Sequence, residues 1–312
     1  MASPNNAVHY SFLLLALLLC CSTAYGQLSK NYYDNACPSL DLTGIVDSVL
    51  ASELRADPRM GASLLRLFFH DCFPQGCDAS VLLVNDTARG IDSEQNAGPN
   101  KDSLRGFAVI DKIKEAVEYN CSHTVSCADI LAVTAREAVI FLGGPSWTVR
   151  LGRRDSLNAF KDKANTDLPD PTFTLQQLEK AFRNKNFSPS EMVALSGGHS
   201  IGSVRCRFAA DPVRKLQCQN MALVDPSHME PLDTTSLAFD NRYYGDVVNG
   251  TGVLGSDRVL MDKGERDKQV RGYSSNRDGF FNDFSNAMVR MSEMNVLTGT
   301  QGQIRIDCKR LN

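Results

Sequence analysis

Apolar residues recur at three-and-four spacing along most of the chain, and that period commits it to a helical fold. In residues 41–56, Leu42, Ile45, Val46, Val49, Leu50 and Leu54 form one stripe of an amphipathic helix. Residues 58–72 open on Pro58 and run through Ala62, Leu64, Leu65 and Phe68 as a mostly buried helix, and 104–119 and 127–142 carry similar periods. Ser188-Pro-Ser-Glu191 reads as a helix start, with a Ser cap, Pro at the first helical position and Glu at the third. Strand signals are short, at Trp147–Leu151 and Ile304–Ile306. The expected fold class is mainly α. No repeat or low-complexity linker divides the chain, so residues 27–312 are read as one domain.

The N-terminus sets the compartment. Residues 12–19 are an uncharged apolar run too short to span a bilayer. Small residues follow, with Ala24 and Gly26 standing three and one before a signal-peptidase cut. Residues 1–26 are therefore read as a signal peptide, and cleavage leaves Gln27 free to cyclise to pyroglutamate. A membrane anchor or a buried helix is the alternative. Eight cysteines remain beyond that cut, an even number that in an oxidising compartment reads as a disulfide framework. The spacing alone leaves their pairing open. Asn85, Asn120, Asn186 and Asn249 head N-glycosylation sequons. A net charge of −3 argues against a nucleic-acid partner, and no later segment is apolar for long enough to cross a membrane.

Chemistry concentrates in Arg66-Leu-Phe-Phe-His70-Asp71-Cys72. Arg66 and His70, four residues apart, project from one helix face. Cleavage of a peroxide bond needs such a pair. A neutral imidazole takes a proton from one oxygen and returns it to the other, and a guanidinium stabilises the charge that develops. Phe69 would keep the cavity narrow and dry. The alternative is a structural histidine near an unrelated arginine. Asp71, Gly76, Asp78 and Ser80 then form an oxygen-rich loop of the kind that suits calcium, without the spacing of an EF-hand. A two-cysteine zinc site at Cys72 and Cys77 competes, but it lacks two further ligands.

Arg-Leu-Phe-Phe-His-Asp-Cys-Phe-x-x-Gly-Cys-Asp-Ala-Ser resembles the distal motif of the secretory plant (class III) haem peroxidases, and the resemblance extends over essentially the whole mature chain. It implies the haem-peroxidase fold, two helical halves around one haem b, with Arg66 and His70 above the iron. Asn100 matches the residue that holds the distal histidine, and Glu94 the acid that links this network to a first calcium. That calcium would be bound by Asp71, Pro74 (carbonyl), Gly76 (carbonyl), Asp78 and Ser80. Gly197-Gly-His199-Ser-Ile-Gly202 is similar to the proximal motif, which makes His199 the iron ligand and Asp257 its carboxylate partner. A second calcium is implied at Ser200, Asp233, Ser236, Ala238 (carbonyl) and Asp240, although the run from Asp233 to Asp240 is one residue short of the family pattern. Pro169 matches a position at the haem edge whose carbonyl contacts aromatic donors. Trp147 and Leu151-Gly-Arg-Arg-Asp155 match signatures of structural meaning, with Trp147 read as core, and His123 and His228 are read as surface residues.

The resemblance further implies disulfides Cys37–Cys121, Cys72–Cys77, Cys127–Cys308 and Cys206–Cys218. The last pair encloses a segment much shorter than in the family. The implied activity is reduction of hydrogen peroxide with one-electron oxidation of phenols, serving phenolic coupling, peroxide removal and stress response. The implied setting is a monomer secreted to the cell wall. Two other readings stand beside it. One is an extracellular scaffold impaired by the short loop. The other is a metallohydrolase, which would need a ligand cluster such as His-Glu-x-x-His that is absent from the chain.

Overall fold

The computed structural model describes residues 28–262 and 264–312, so the expected signal peptide lies outside the described residues. Helices dominate, and they gather into two groups. The first holds Leu42–Ala56, Met60–Cys72, Phe107–Asn120 and Cys127–Phe141. The second holds Pro189–Ser196, Arg242–Val248, Glu265–Ser275 and Arg277–Ser292.

The local reasons are those of the sequence. Val46, Leu50 and Leu54 recur every fourth residue and are buried together. Cys127–Phe141 is apolar nearly all round, which makes it the central rod of its group, with Met60–Cys72 packed along it. Asp129 in that rod is wholly buried and pairs with the equally buried Arg153 at 2.7 Å. It also accepts bonds from the Tyr33 hydroxyl and Gly152 N. The Leu151–Asp155 signature is thus a clamp on the rod, since either charge left alone would be an uncompensated ion in the core. At Ser188 the cap, the Pro and the reciprocal Glu191 bond all form.

Two expectations differ from the structure. Neither Trp147–Leu151 nor Ile304–Ile306 is a strand; single bridges, Ser29 with Leu151, Arg154 with Leu297 and Asp155 with Gln303, form at or beside them. Alternation would turn Arg305 outward and the isoleucines in. Instead Arg305 is fully buried and Ile306 is 45% exposed, because the guanidinium donates to the carbonyls of Ala79, Ser156 and Cys308. The regular strand pair is Ser203–Val204 with Glu230–Pro231, antiparallel. Trp147 is core, edge-on to Phe284.

All four disulfides pair as the resemblance implies: Cys37–Cys121, Cys72–Cys77, Cys127–Cys308 and Cys206–Cys218. The short segment is closed by a single helical turn at Cys206–Phe208 and the helix Pro212–Val224, which buries Cys218. The asparagines of all four sequons are exposed.

Candidate active site

Met60–Cys72 carries Arg66, Phe69 and His70 into the space between the two groups. Its Ala62 and Leu65 face the loop after Pro189–Ser196: a Cβ on Gly202 would lie 2.9 Å from Ala62, and one on Gly198 3.7 Å from Leu65. His199 therefore stands across from the Arg66 face.

On the first wall, His70 Nδ1 lies 2.6 Å from Asn100 Oδ1, and Asn100 Nδ2 donates to the Glu94 carbonyl at 2.8 Å. The second bond orients the amide so that its oxygen accepts from Nδ1–H, which leaves Nε2 as the basic nitrogen. Burial, reinforced by the Arg66 charge, holds the His70 pKa well below 6.5 despite the Asn100 bond, so the ring is neutral at neutral pH. Arg66 donates to the carbonyls of Ser103 (3.0 Å) and Pro99 (2.9 Å) and to the Ser103 hydroxyl. Burial, with the nearby Arg205, lowers its pKa to about 10, so the guanidinium keeps its charge. No carboxylate pairs with Arg66 or Arg205 among the described residues. Phe69 stacks on Phe73 at 4.8 Å and stands edge-on to His70.

On the second wall, His199 Nδ1–H donates to Asp257 Oδ1 at 2.8 Å. Asp257 also accepts from the Tyr243 hydroxyl at 2.9 Å and from Leu254 N at 3.3 Å. Burial opposes protonation of His199, but the charge and hydrogen bond of Asp257 outweigh it and raise the pKa, against a smaller opposing effect from Arg66. The side chain nonetheless keeps 40% of its surface accessible. A ring that is both desolvated and accessible borders a recess rather than open water, and with Nδ1 bonded to Asp257 its Nε2 is left without a hydrogen-bond partner among the described residues.

Gly197 is the tightest point of this wall, since a Cβ there would overlap the Phe280 ring and the Tyr244 hydroxyl. Gly197→Ala is expected to lower stability by about 1–3 kcal/mol through overpacking, read as a lower denaturant midpoint. An unchanged midpoint would mean that Phe280 swings aside freely.

The oxygen-rich loop is assembled. Asp71 accepts from Ala79 N (3.0 Å) and Val81 N (3.4 Å), and Asp78 from Ser80 N (3.1 Å). Gly76 has φ +143, and a Cβ there would lie 2.7 Å from the Asn295 carbonyl, so only glycine fits. Asp71, Asp78, Ser80 and Glu94 are all buried, and Ser80 Oγ and Glu94 Oε2 have no hydrogen-bond partner. Unpartnered buried oxygens among three carboxylates are the donor set a hard cation takes. The Pro74 carbonyl accepts from Lys185 Nζ at 2.7 Å.

In the second oxygen cluster, Asp240 N donates to Ser200 Oγ, and Ser200 Oγ donates to the Ala238 carbonyl. Burial, then the charges of Asp240 and Asp246, push Asp233 up to about 7. The hydroxyl between Asp233 and Asp240 is that of Thr235, at 3.3 and 3.1 Å, whereas Ser236 contributes its carbonyl to Gly202 N. Thr235, one position before the expected Ser236, thus supplies this hydroxyl. Pro169 is half-buried in a loop moored to both walls: Asn165 accepts from Gly98 N, and the Pro171 carbonyl from Ser256 N.

Sequence reasoning missed Arg305, Tyr243, Ser103 and Thr235. Arg305 sits in an Ile-Arg-Ile run that gives no sign of burial, and Tyr243 is marked only by the Tyr-Tyr pair it opens. His123 is exposed; His228 is half-buried beside Glu230 and Cys218, but the Cys218 sulfur is already in a disulfide, so this trio lacks a thiolate.

Comparison with known proteins agrees with this geometry. The peroxidase family model matches residues 46–276. The chain is 47% identical to "Peroxidase 22.3" of Oryza sativa subsp. japonica, with both chains covered in full. It is 44% identical to "Peroxidase P7" of Brassica rapa subsp. rapa, over 92% of this chain and all of the relative. It is also 44% identical to a peroxidase of Armoracia rusticana, over 96% of this chain and 90% of the relative. The rice alignment runs over 326 positions against 312 residues, so this chain is gapped within the matched length. The reading of an impaired scaffold gains no support: Arg66, His70, Asn100, His199 and Asp257 are all in place beside the short loop. With facing histidines, each held by its own hydrogen-bond chain, and full-length likeness to plant enzymes of one kind, the chain belongs to the peroxidase family as a class III haem peroxidase.

Proposed function

We propose that the protein reduces hydrogen peroxide at one haem b seated between its two helical groups and oxidises small phenols one electron at a time. The observation that carries this reading is the pair of oriented imidazoles, each with its Nδ1 engaged by a side chain of its own wall, which leaves Nε2 of each free to act. His199 would hold the haem, and the positive charge of Arg66 and Arg205 suits its anionic carboxylates. When bound, the haem supplies the iron that exchanges electrons with peroxide and donor.

The chain's own residues supply the rest. His70 Nε2 takes the proton from one peroxide oxygen and hands it to the departing one. Arg66 stabilises the charge on the departing oxygen. Asp257 pulls on the Nδ1 proton of His199 and makes the ring a stronger electron donor. Phe69 keeps the cleft narrow, and Pro169 stands at its rim where an aromatic donor would rest. Two calcium ions complete the site. One is bound by Asp71, Asp78, Ser80 and the Pro74 and Gly76 carbonyls, with Glu94 linking it to Asn100. The other is bound by Ser200, Asp233, Asp240 and the Ala238 carbonyl, with Thr235 in the place expected for Ser236.

Secretion to the cell wall fits the expected N-terminal signal and the four disulfides, and the working state proposed is a monomer. No helix of the described residues is long and apolar enough to cross a membrane. The test is a stopped-flow trace of calcium-loaded, haem-reconstituted protein mixed with peroxide and then guaiacol. A Soret band that changes with peroxide and returns with guaiacol is expected. A protein that binds haem and ignores peroxide would overturn the roles given to His70 and Arg66.

A further inference from the structure

Behind His199 the aromatic rings form a continuous path towards the surface. His199 stands edge-on to Tyr243 with centroids 6.1 Å apart, Tyr243 meets Tyr244 at 4.9 Å, and Tyr244 meets Tyr273 at 5.0 Å. Tyr243 and Tyr244 are fully buried, while Tyr273 is 5% exposed. The Tyr273 hydroxyl donates to Asp283 Oδ2 at 2.7 Å and accepts from Gln269 Nε2 at 2.7 Å. Asp283 is itself exposed, so the path ends one side chain beneath solvent.

Packing does not explain the phenols, because phenylalanine would fill the same volume. Their hydroxyl partners separate them. A phenol that loses an electron becomes a strong acid, so it is readily oxidised only where a base stands ready for its proton. Tyr243 donates to Asp257 and Tyr273 to Asp283, both carboxylates. Tyr244 donates to the carbonyl of Val193 at 2.8 Å, which cannot keep a proton. Tyr243 and Tyr273 are therefore suited as stations and Tyr244 as a bridge. Each of these two phenols has its proton acceptor already in place, so electron and proton can leave together.

We propose that Tyr243, Tyr244 and Tyr273 carry single electrons from the surface at Asp283 to the haem side of His199, so that the enzyme also oxidises phenolic groups on polymers too large for the cleft. The proposal rests on the haem reading above. In balance, hydrogen peroxide takes two electrons from the enzyme and, with two protons, leaves as two waters. Each electron is replaced when Tyr273 gives one through Tyr244 and Tyr243 and passes its phenolic proton to Asp283. A phenol at the surface then returns one electron to Tyr273, Asp283 hands the phenolic proton back, and the phenol departs as a phenoxyl radical, releasing to solvent the proton that the peroxide side draws from it. Two such phenols complete one turnover.

The experiment uses the haem- and calcium-loaded enzyme, with freeze-quench electron paramagnetic resonance after peroxide alone, and ferrocytochrome c as a donor too large to enter the cleft. Tyr273→Phe should change the tyrosyl signal, leaving only what Tyr243 contributes, and slow ferrocytochrome c oxidation about tenfold or more, with guaiacol turnover within about twofold of wild type. Asp283→Asn keeps the ring packing and removes only the proton acceptor; it should also slow ferrocytochrome c oxidation. Signals and ferrocytochrome c rates equal to wild type in both variants, with guaiacol turnover intact, would overturn the relay and leave the peroxidase standing. A wild-type protein with no Soret band and no guaiacol turnover would overturn both.

Discussion

His70→Leu is expected to slow the reaction with hydrogen peroxide by about 10²–10⁴-fold, the range by which a positioned proton-transfer group accelerates such a step. Leucine fills the buried site but offers no lone pair, and Arg66 alone can stabilise charge without moving a proton. The Soret band should survive, because His199 lies on the other wall, so the loss can be read as chemistry rather than unfolding. The same geometry sets the pH dependence. Folded His70 has a pKa well below 6.5, so its basic form persists into acid and the peroxide reaction should stay rapid at pH 5.5 to 6. A stopped-flow pH series measures both. A His70→Leu rate within tenfold of wild type, or a wild-type rate that falls as an ordinary histidine titrates, would remove His70 from the mechanism.

Withdrawal of calcium is expected to cost about 3 kcal/mol or more of stability at neutral pH, the usual penalty for leaving buried charge without its partner. Burial first, and then like charge from neighbouring carboxylates, raises the folded pKa values at this site. Asp71 lies well above its ordinary 3.8, Asp78 at about 6 against 3.8, and Glu94 at about 7 against 4.5. An acid whose folded pKa is raised holds a proton that the unfolded chain has already released. The cation-free protein is therefore least penalised below about pH 4, loses stability between about pH 4 and 7, and carries the full penalty above that. Bound calcium matches the charges and removes the loss. The gap in melting temperature with and without chelator should thus be wide at pH 8 and narrow at pH 5, by calorimetry. Equal gaps at both values would mean that the cation binds elsewhere or stabilises by another route. Arg305 offsets part of the charge here, so its replacement by leucine should widen the gap.

How much of this was legible beforehand depended on range along the chain. Four-residue spacing put Arg66 and His70 on one helix face, and the Ser188 cap with Glu191 marked a helix start, because these bonds join residues within one turn. The short strand signals misled for the same reason in reverse. Alternation describes a ribbon with a neighbour, and at 304–306 there is no neighbour, only a set of carbonyls that draw Arg305 inward. Motif matching carried Asp257 to His199 across 58 residues and Asn100 to His70 across 30, but it named Ser236 where Thr235 stands between Asp233 and Asp240.

By itself the sequence determined the helical class, the faces of the individual helices, the shared face of Arg66 and His70 and the oxygen-rich loop, since each is written in spacings of a few residues. Only the tertiary structure decided which buried carboxylates share a site, that Arg305 balances them, that Thr235 lies between Asp233 and Asp240, and that three tyrosines line up behind His199. The physical reason is that periodicity states which side of an element is apolar. The partner that a buried polar atom finds is set by packing between elements far apart in the chain, where the cost of leaving any such atom unpaired selects one arrangement.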